Sequence, residues 1–217
     1  ALPISQYENK DYENVKGITF KLEKRYSNNF SGRIDYTFQK AEGTYSNPRD
    51  AYNDYQNQNE PRRSLIPMNW DQNHTLNAWI SYKISDYTIS LIGNYWTGQP
   101  YTPSFVQGER IGAATSLGLR QNSARLPNQK SVDLYVNRLI FVGNLKINVF
   151  ANVYNLFDQR NPNAVYGDTG SSDYTTGTRP DKIPYNPARI GTVEDFVNQP
   201  GWYSSPREVQ LGFSLGF

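Results

Sequence analysis

The chain closes on a strict two-residue alternation. Val209, Leu211, Phe213, Leu215 and Phe217 take the odd positions, and Glu208, Gln210, Gly212, Ser214 and Gly216 the even ones. Successive side chains of a strand point to opposite faces, so this period makes a strand with one apolar and one polar face. The pattern recurs upstream. Leu145, Ile147, Val149, Ala151 and Val153 share one face, with Phe150 as the misfit on the other; Val132, Leu134 and Val136 oppose Asp133, Tyr135 and Asn137. Ile89, Leu91, Gly93 and Tyr95 oppose Ser90 and Asn94, with Ile92 and Trp96 impure. Leu76, Ala78, Ile80, Tyr82 and Ile84 oppose Asn77, Trp79, Ser81 and Lys83. Phe30, Gly32, Ile34, Tyr36 and Phe38 oppose Arg33 and Asp35, and Ile18, Phe20 and Leu22 oppose Lys21 and Glu23. Seven strands are expected, at about 15–26, 29–43, 73–85, 87–97, 129–141, 143–157 and 207–217.

The connections alternate between short and long. Ser27-Asn28, Ser85-Asp86 and Val142-Gly143-Asn144 read as tight hairpin turns, whereas about 44–72, 98–128 and 158–206 are long. Outer-membrane barrels combine tight periplasmic turns with long external loops. A compact soluble domain rarely carries three unstructured loops beyond ~15 residues. A strand of ~10 residues tilted by ~45° spans the apolar band of ~25 Å. Aromatics gather near strand ends, among them Tyr26, Phe30, Tyr87, Trp96, Phe141 and Phe157, where amphipathic rings suit the headgroup level. The expected fold is all-β: an antiparallel up-and-down transmembrane β-barrel. A soluble β-sandwich also alternates, but its loops would not be long at one end only.

Composition narrows the function. The 217 residues contain no Cys, a single His and a net charge of +2. These exclude a disulfide framework and a thiolate or His-rich metal cluster, and give no electrostatic pointer to nucleic acid. No cofactor is expected. No apolar run reaches the ~18 residues of a transmembrane helix. The negative mean hydropathy does not argue against a barrel, whose lumen and loops are polar. Ala1 opens the sequence without a signal-peptide pattern, which suggests processing or further sequence upstream.

Candidate chemistry is sparse. His74 with Ser81 or Asp71 would be the only hydrolase-like pairing, and no enzyme is expected. Asp168 to Asp173 has the acidic ends of a calcium loop without its Asp-x-Asp-x-Asp-Gly spacing. Arg33, Asp35, Lys83, Asp133 and Lys146 all fall on the polar face of their strands, as a lumen would require, while Arg138 shares parity with the apolar set. The long loops are rich in aromatics and amides. Trp70, Tyr101 and Trp202 are the candidates there for ligand contact.

Several segments resemble TonB-dependent outer-membrane receptors, most closely their carboxypeptidase-regulatory-like group. Asn155-Leu156-Phe157-Asp158 with Asn161 resembles the "NLFD…N" that follows the penultimate strand of that family. Pro206-Arg207 opening a last strand that ends in Phe217 resembles its finish. Trp70-Asp71-Gln72-Asn73-His74-Thr75-Leu76-Asn77 resembles "WD.RHTLN", with Asn73 where Arg is common. Gly98-Gln99-Pro100-Tyr101-Thr102-Pro103 resembles "SG.PYTP", with Thr97 for Ser. Val15-Lys16-Gly17-Ile18 resembles "V.G.E", with Thr19 in place of Glu. The resemblance runs from about residue 12 to 217.

It implies that residues 1–217 are the last third of a barrel of about 22 strands around a plug. It implies an active-transport receptor in the outer membrane of a Gram-negative bacterium, taking up an iron chelate, glycan or peptide. The partners would be outer-membrane lipid, the barrel-assembly machinery reading Phe217, and the TonB complex acting through an N-terminal part absent here. A small passive porin is the alternative.

Overall fold

A computed structural model of the chain describes residues 11–47, 49–60, 64–104, 120–176 and 194–216. Its strands are β1 (Glu13–Ser27), β2 (Phe30–Gly43), β3 (Ile66–Pro67), β4 (His74–Ile84), β5 (Tyr87–Trp96), β6 (Pro100–Tyr101), β7 (Ala124–Arg125), β8 (Gln129–Val142), β9 (Leu145–Tyr154) and β10 (Glu208–Gly216). Among the described residues helix is confined to α1 (Asp50–Gln56), α2 (Glu194–Val197) and a 3-10 turn at Pro200–Trp202. The fold is all-β. No described helix is long and apolar enough to cross a membrane.

The seven long strands form one antiparallel meander in the order β1-β2-β4-β5-β8-β9-β10. The short strand β3 extends the sheet beside β2, and β6 pairs with β7 in a separate ribbon. The sheet is open, with β1 and β10 as its edges, and is not closed into a barrel.

Register carries the alternation from strand to strand. Leu22 stands opposite Ile34, Ile34 opposite Ala78, Ala78 opposite Gly93 and Gly93 opposite Val132. On the far side Leu134 pairs with Val153, and Val153 with Val209. A slip of one residue at any pairing would exchange the two faces, so the sheet has one continuous apolar face and one polar face. The expected polar-face charges all lie where parity puts them, and Arg33 donates to Asp35 at 2.6 and 3.0 Å. Arg138 lies on the apolar face with its guanidinium 4.9 Å from the centre of the Tyr87 ring.

The misfits resolve into cross-strand pairs. Phe150 sits opposite Gly212, and a Cβ added there would meet the ring at 2.5 Å. Glycine leaves the room that the aromatic fills. Ile92 pairs with Trp79, so the impurity of two strands is one contact on the polar face.

All three tight turns lie at one end. The first is centred on Asn28-Asn29 rather than Ser27-Asn28. Both residues have positive φ (53° and 62°), as a two-residue hairpin turn of type I′ needs, and Asn tolerates that region better than Ser. The other two place Ser85 (φ 51°) and Gly143 (φ 60°) at the first turn position. Strand β9 ends at Tyr154, earlier than expected, because Asn155 turns to φ 51°. The long connections are not structureless as expected, since they contain β3, α1 and the β6–β7 ribbon. Phe217 lies outside the described residues.

Almost no hydrophobic core accompanies this sheet. Among the described residues the buried apolar side chains are Ala41, Ile66 and Met68, all near the long-loop end. The apolar face is open, and Leu211, on the edge strand β10, is 77 % exposed.

Candidate functional site

The three long connections leave the same end of the sheet, and their contacts begin with a buried carboxylate. Asp71 is 1 % exposed. It accepts from the Ala41 amide at 2.7 Å and from the Asn73 side chain at 3.1 Å, and it forms an ion pair with Arg125. The same guanidinium donates to the carbonyls of Asp71 (3.2 Å) and Gly98 (3.1 Å). One Asp–Arg pair thus clasps β2, the first connection and the second. A carboxylate this buried is stable only when paired and hydrogen-bonded.

The ribbon rests on a glycine. A Cβ at Gly98 would stand 1.7 Å from the Leu126 carbonyl oxygen, so no other residue permits this approach. Asn122 accounts for the next join: its amide donates to Thr102 Oγ1 at 3.0 Å and its side chain to the Pro67 carbonyl at 2.7 Å.

The third connection begins and ends on side chains that mimic strand pairing. The Asn155 amide donates to Asp133 Oδ1, and its side chain donates to the carbonyls of Gln159 and Ser205. Asp158 accepts from the Arg207 amide at 2.8 Å, fixing where β10 starts. Asn161, buried, exchanges two bonds with the backbone of Lys130, at 3.0 and 2.7 Å. The Asn155-to-Asp158 segment, Asn161 and the Pro206-Arg207 opening are therefore one corner tying β8, β9 and β10.

Of the aromatic candidates, Tyr101 and Trp202 meet the same turn of the third connection. The Tyr101 hydroxyl lies 2.8 Å from a Cβ built at Gly170, and Trp202 packs on Tyr166 at 4.6 Å between ring centres. The Gly170 amide donates to the Tyr166 carbonyl. Trp70, exposed, precedes the Asp71 clasp. Beside Trp202, Arg160 lies 4.3 Å over the Tyr203 ring. The Tyr203 hydroxyl donates to Asp173, which pushes the phenol above its ordinary pKa and keeps it neutral.

Asp168 accepts from the Thr176 amide and hydroxyl and from the Thr175 hydroxyl at 2.6–2.9 Å. Burial pushes its carboxyl up, but these hydrogen bonds outweigh that and hold it below the usual range. All three donors reach Oδ2, and no cluster of three metal-ligating side chains occurs among the described residues. Nor does His74 meet Ser81. His74 lies on the apolar face, bonded to the Tyr36 hydroxyl at 2.8 Å, while Ser81 pairs with Ser90 on the polar face.

The sequence marks the loop aromatics, of which Trp70 is exposed and Tyr101 and Trp202 are half-buried, and leaves Asn122 and Arg125 unmarked. An Asn has little to mark it in a polar loop, and nothing in sequence links Arg125 to Asp71 across 54 residues. No protein-family model and no curated protein matches the chain.

Two predictions follow from this geometry. Asp71→Ala leaves Arg125 and the Ala41 amide without their acceptor; it should cost about 2–4 kcal/mol, read as a lower denaturation midpoint and faster proteolysis of residues 98–128. The Asp168 carboxyl has a lower pKa folded than unfolded, so its contribution is full above about pH 4 and is lost as pH falls through the folded value. The Thr176 amide resonance should report that loss on acidification, and Asp168→Asn should flatten the titration.

Proposed function

We propose that this chain is part of the wall of an outer-membrane β-barrel, with its apolar face on lipid, its polar face on the lumen and its long connections outside. The observation that carries the reading is the continuous apolar face without a core beneath it. Burying a large aliphatic or aromatic side chain is worth about 1.5–3 kcal/mol. A sheet leaving Phe20, Leu22, Leu211, Phe213 and Leu215 more than half exposed needs an apolar medium or a second layer, and the described residues hold a single layer. Lipid also accounts for tight turns at one end and long connections at the other. An open seven-stranded sheet leaves two unpaired edges, which a bilayer does not tolerate; further strands would close the barrel.

Within that class we read the segment as the C-terminal region of a TonB-dependent active-transport receptor. The resembling motifs support this through their positions: Trp70-Asp71, Gly98 to Pro103, Asn155 to Asp158 with Asn161, and Pro206-Arg207 sit at corners or clasps of the loop end, as framework for external loops requires, while Val15 to Ile18 lies within β1. Aromatic and amide side chains there, including Trp70, Tyr101 and Trp202, suit a sugar, peptide or aromatic chelate. The segment is wall and loop rather than a catalytic unit.

Substitution separates the faces. Leu211→Arg, on the lipid side, should cost about 2–4 kcal/mol and sharply reduce membrane assembly, while Gln210→Arg should be tolerated. Equal tolerance would sink the lipid-face assignment. Intact mass of the native protein from outer-membrane extracts tests the receptor reading. A value several times 24.9 kDa is expected. A value near 24.9 kDa in the membrane would indicate a passive barrel, and the same value in the soluble fraction a β-sandwich module.

A further inference from the structure

The register places basic side chains of the apolar face on two oblique lines. With β2 as a ruler, Lys16 is level with Lys40, and His74, two strands further, is level with Phe38. Lys130 on β8 is level with Tyr36 through Tyr95 and Leu76. Arg207 lies one residue outside the paired register; extending that register by one step from Glu208 and Tyr154 gives it the apolar parity and the level of Ile34. The first, third and fifth strands of the meander thus carry Lys16, His74 and Lys130, each two residues lower than the last, and Arg207 at the entry to the seventh continues the series. Lys40 stands beside Lys16 and is held by Glu42 at 2.9 Å.

A second line runs parallel near the tight turns. Lys24 lies eight residues along β1 from Lys16, and Arg138 eight residues along β8 from Lys130. Both are exposed, and each approaches an aromatic ring, Phe30 and Tyr87 respectively. Between the lines the apolar face of the described strands carries no Asp, Glu, Lys or Arg.

We infer that these two lines are the interfaces of the membrane: their basic side chains contact phosphate-bearing lipid headgroups, and the strands lean accordingly. The inference rests on the barrel-wall reading. A drop of one residue per strand, with a rise of about 3.3 Å and a strand spacing of about 4.8 Å, inclines the lines by about 35°. Strands crossing such an interface tilt by that angle from the normal, within the roughly 35–45° of closed barrels. Eight residues so tilted span about 22 Å, close to the apolar band of about 25 Å. Lysine and arginine stems reaching outward supply the difference. The line has a chemical reason: a cation at mid-depth is costly, while at the edge it meets an anionic headgroup.

The test uses the full-length protein in lipid nanodiscs, with nitroxide labels on single cysteines in this segment, which has none of its own. Phe20, Ala78, Leu134 and Leu211 lie midway between the lines. Labels there should share one depth within about one residue rise of 3 Å, and labels at Lys16, Lys130 and Arg207 should sit at headgroup level. Equal depth for residues directly paired across strands would overturn the tilt and leave the wall reading intact. Aqueous exposure of all four mid-band labels would overturn both. Replacing phosphatidylcholine by an anionic phospholipid should raise the melting temperature. The triple variant Lys16→Gln, Lys40→Gln and Lys130→Gln should lose about half of that rise. An undiminished rise would overturn the headgroup contact.

Discussion

Everything in this molecule depends on strand register holding one apolar face continuous across seven strands. Side-chain direction alternates with a period of two, so each pairing either preserves that face or inverts it. Six successive pairings preserve it. Two of the tight turns help: Ser85-Asp86 and Gly143-Asn144 connect strands through two residues in unbroken register, whereas beside Asn28-Asn29 an irregularity between Lys24 and Ser27 shifts the β1–β2 register by one residue and so aligns Leu22 with Ile34. Strand length and charge placement agree with the same register. Arg33, Asp35, Lys83, Asp133 and Lys146 all stand on the opposite face.

The loop end follows a different logic. It is held by single side chains engaging backbone rather than by apolar packing. Asp71 with Arg125, Asn122, Asn155, Asp158 and Asn161 each bridge segments distant in sequence. Their partners are mostly amide and carbonyl groups left over where strands stop, and such groups need partners once removed from water. A polar framework of this kind keeps the connections ordered while leaving Trp70 and neighbouring aromatic and amide groups at the surface. It explains why motifs at these corners look functional in sequence yet serve as joints.

The open apolar face gives the proposed lipid contact its physical basis, and the oblique basic lines give it a frame. A sheet inclined to the membrane must spread its interfacial residues diagonally across the register. A reading strand by strand sees only scattered lysines. Arg138 looks like a violation within β8 alone; packed on Tyr87 and on the same oblique line as Lys24 of β1, it falls on the proposed border.

How much was legible in sequence depends on the range of each interaction. Alternation is local, so each strand and its two faces could be read from its own residues, as from Val209 to Leu215, and the end bearing the tight turns from the short connections between strands. The misfits Phe150 and Ile92 could be seen but not explained, because Gly212 and Trp79 become their neighbours only through pairing; Arg138 could be placed near the tight-turn end, where a long side chain can snorkel, but its contact with Tyr87 could not be read. The exact turn at Asn28-Asn29 was off by one residue, since strand ends are set by φ and not by hydropathy. The Asp71–Arg125 clasp and the Asn161 joint were beyond reach: their partners lie 54 and 31 residues away. By itself the sequence determined strand period, face and chain order, which are properties of neighbouring residues. Only the tertiary structure decided which distant side chains share a level, because level is set by hydrogen-bond register between strands.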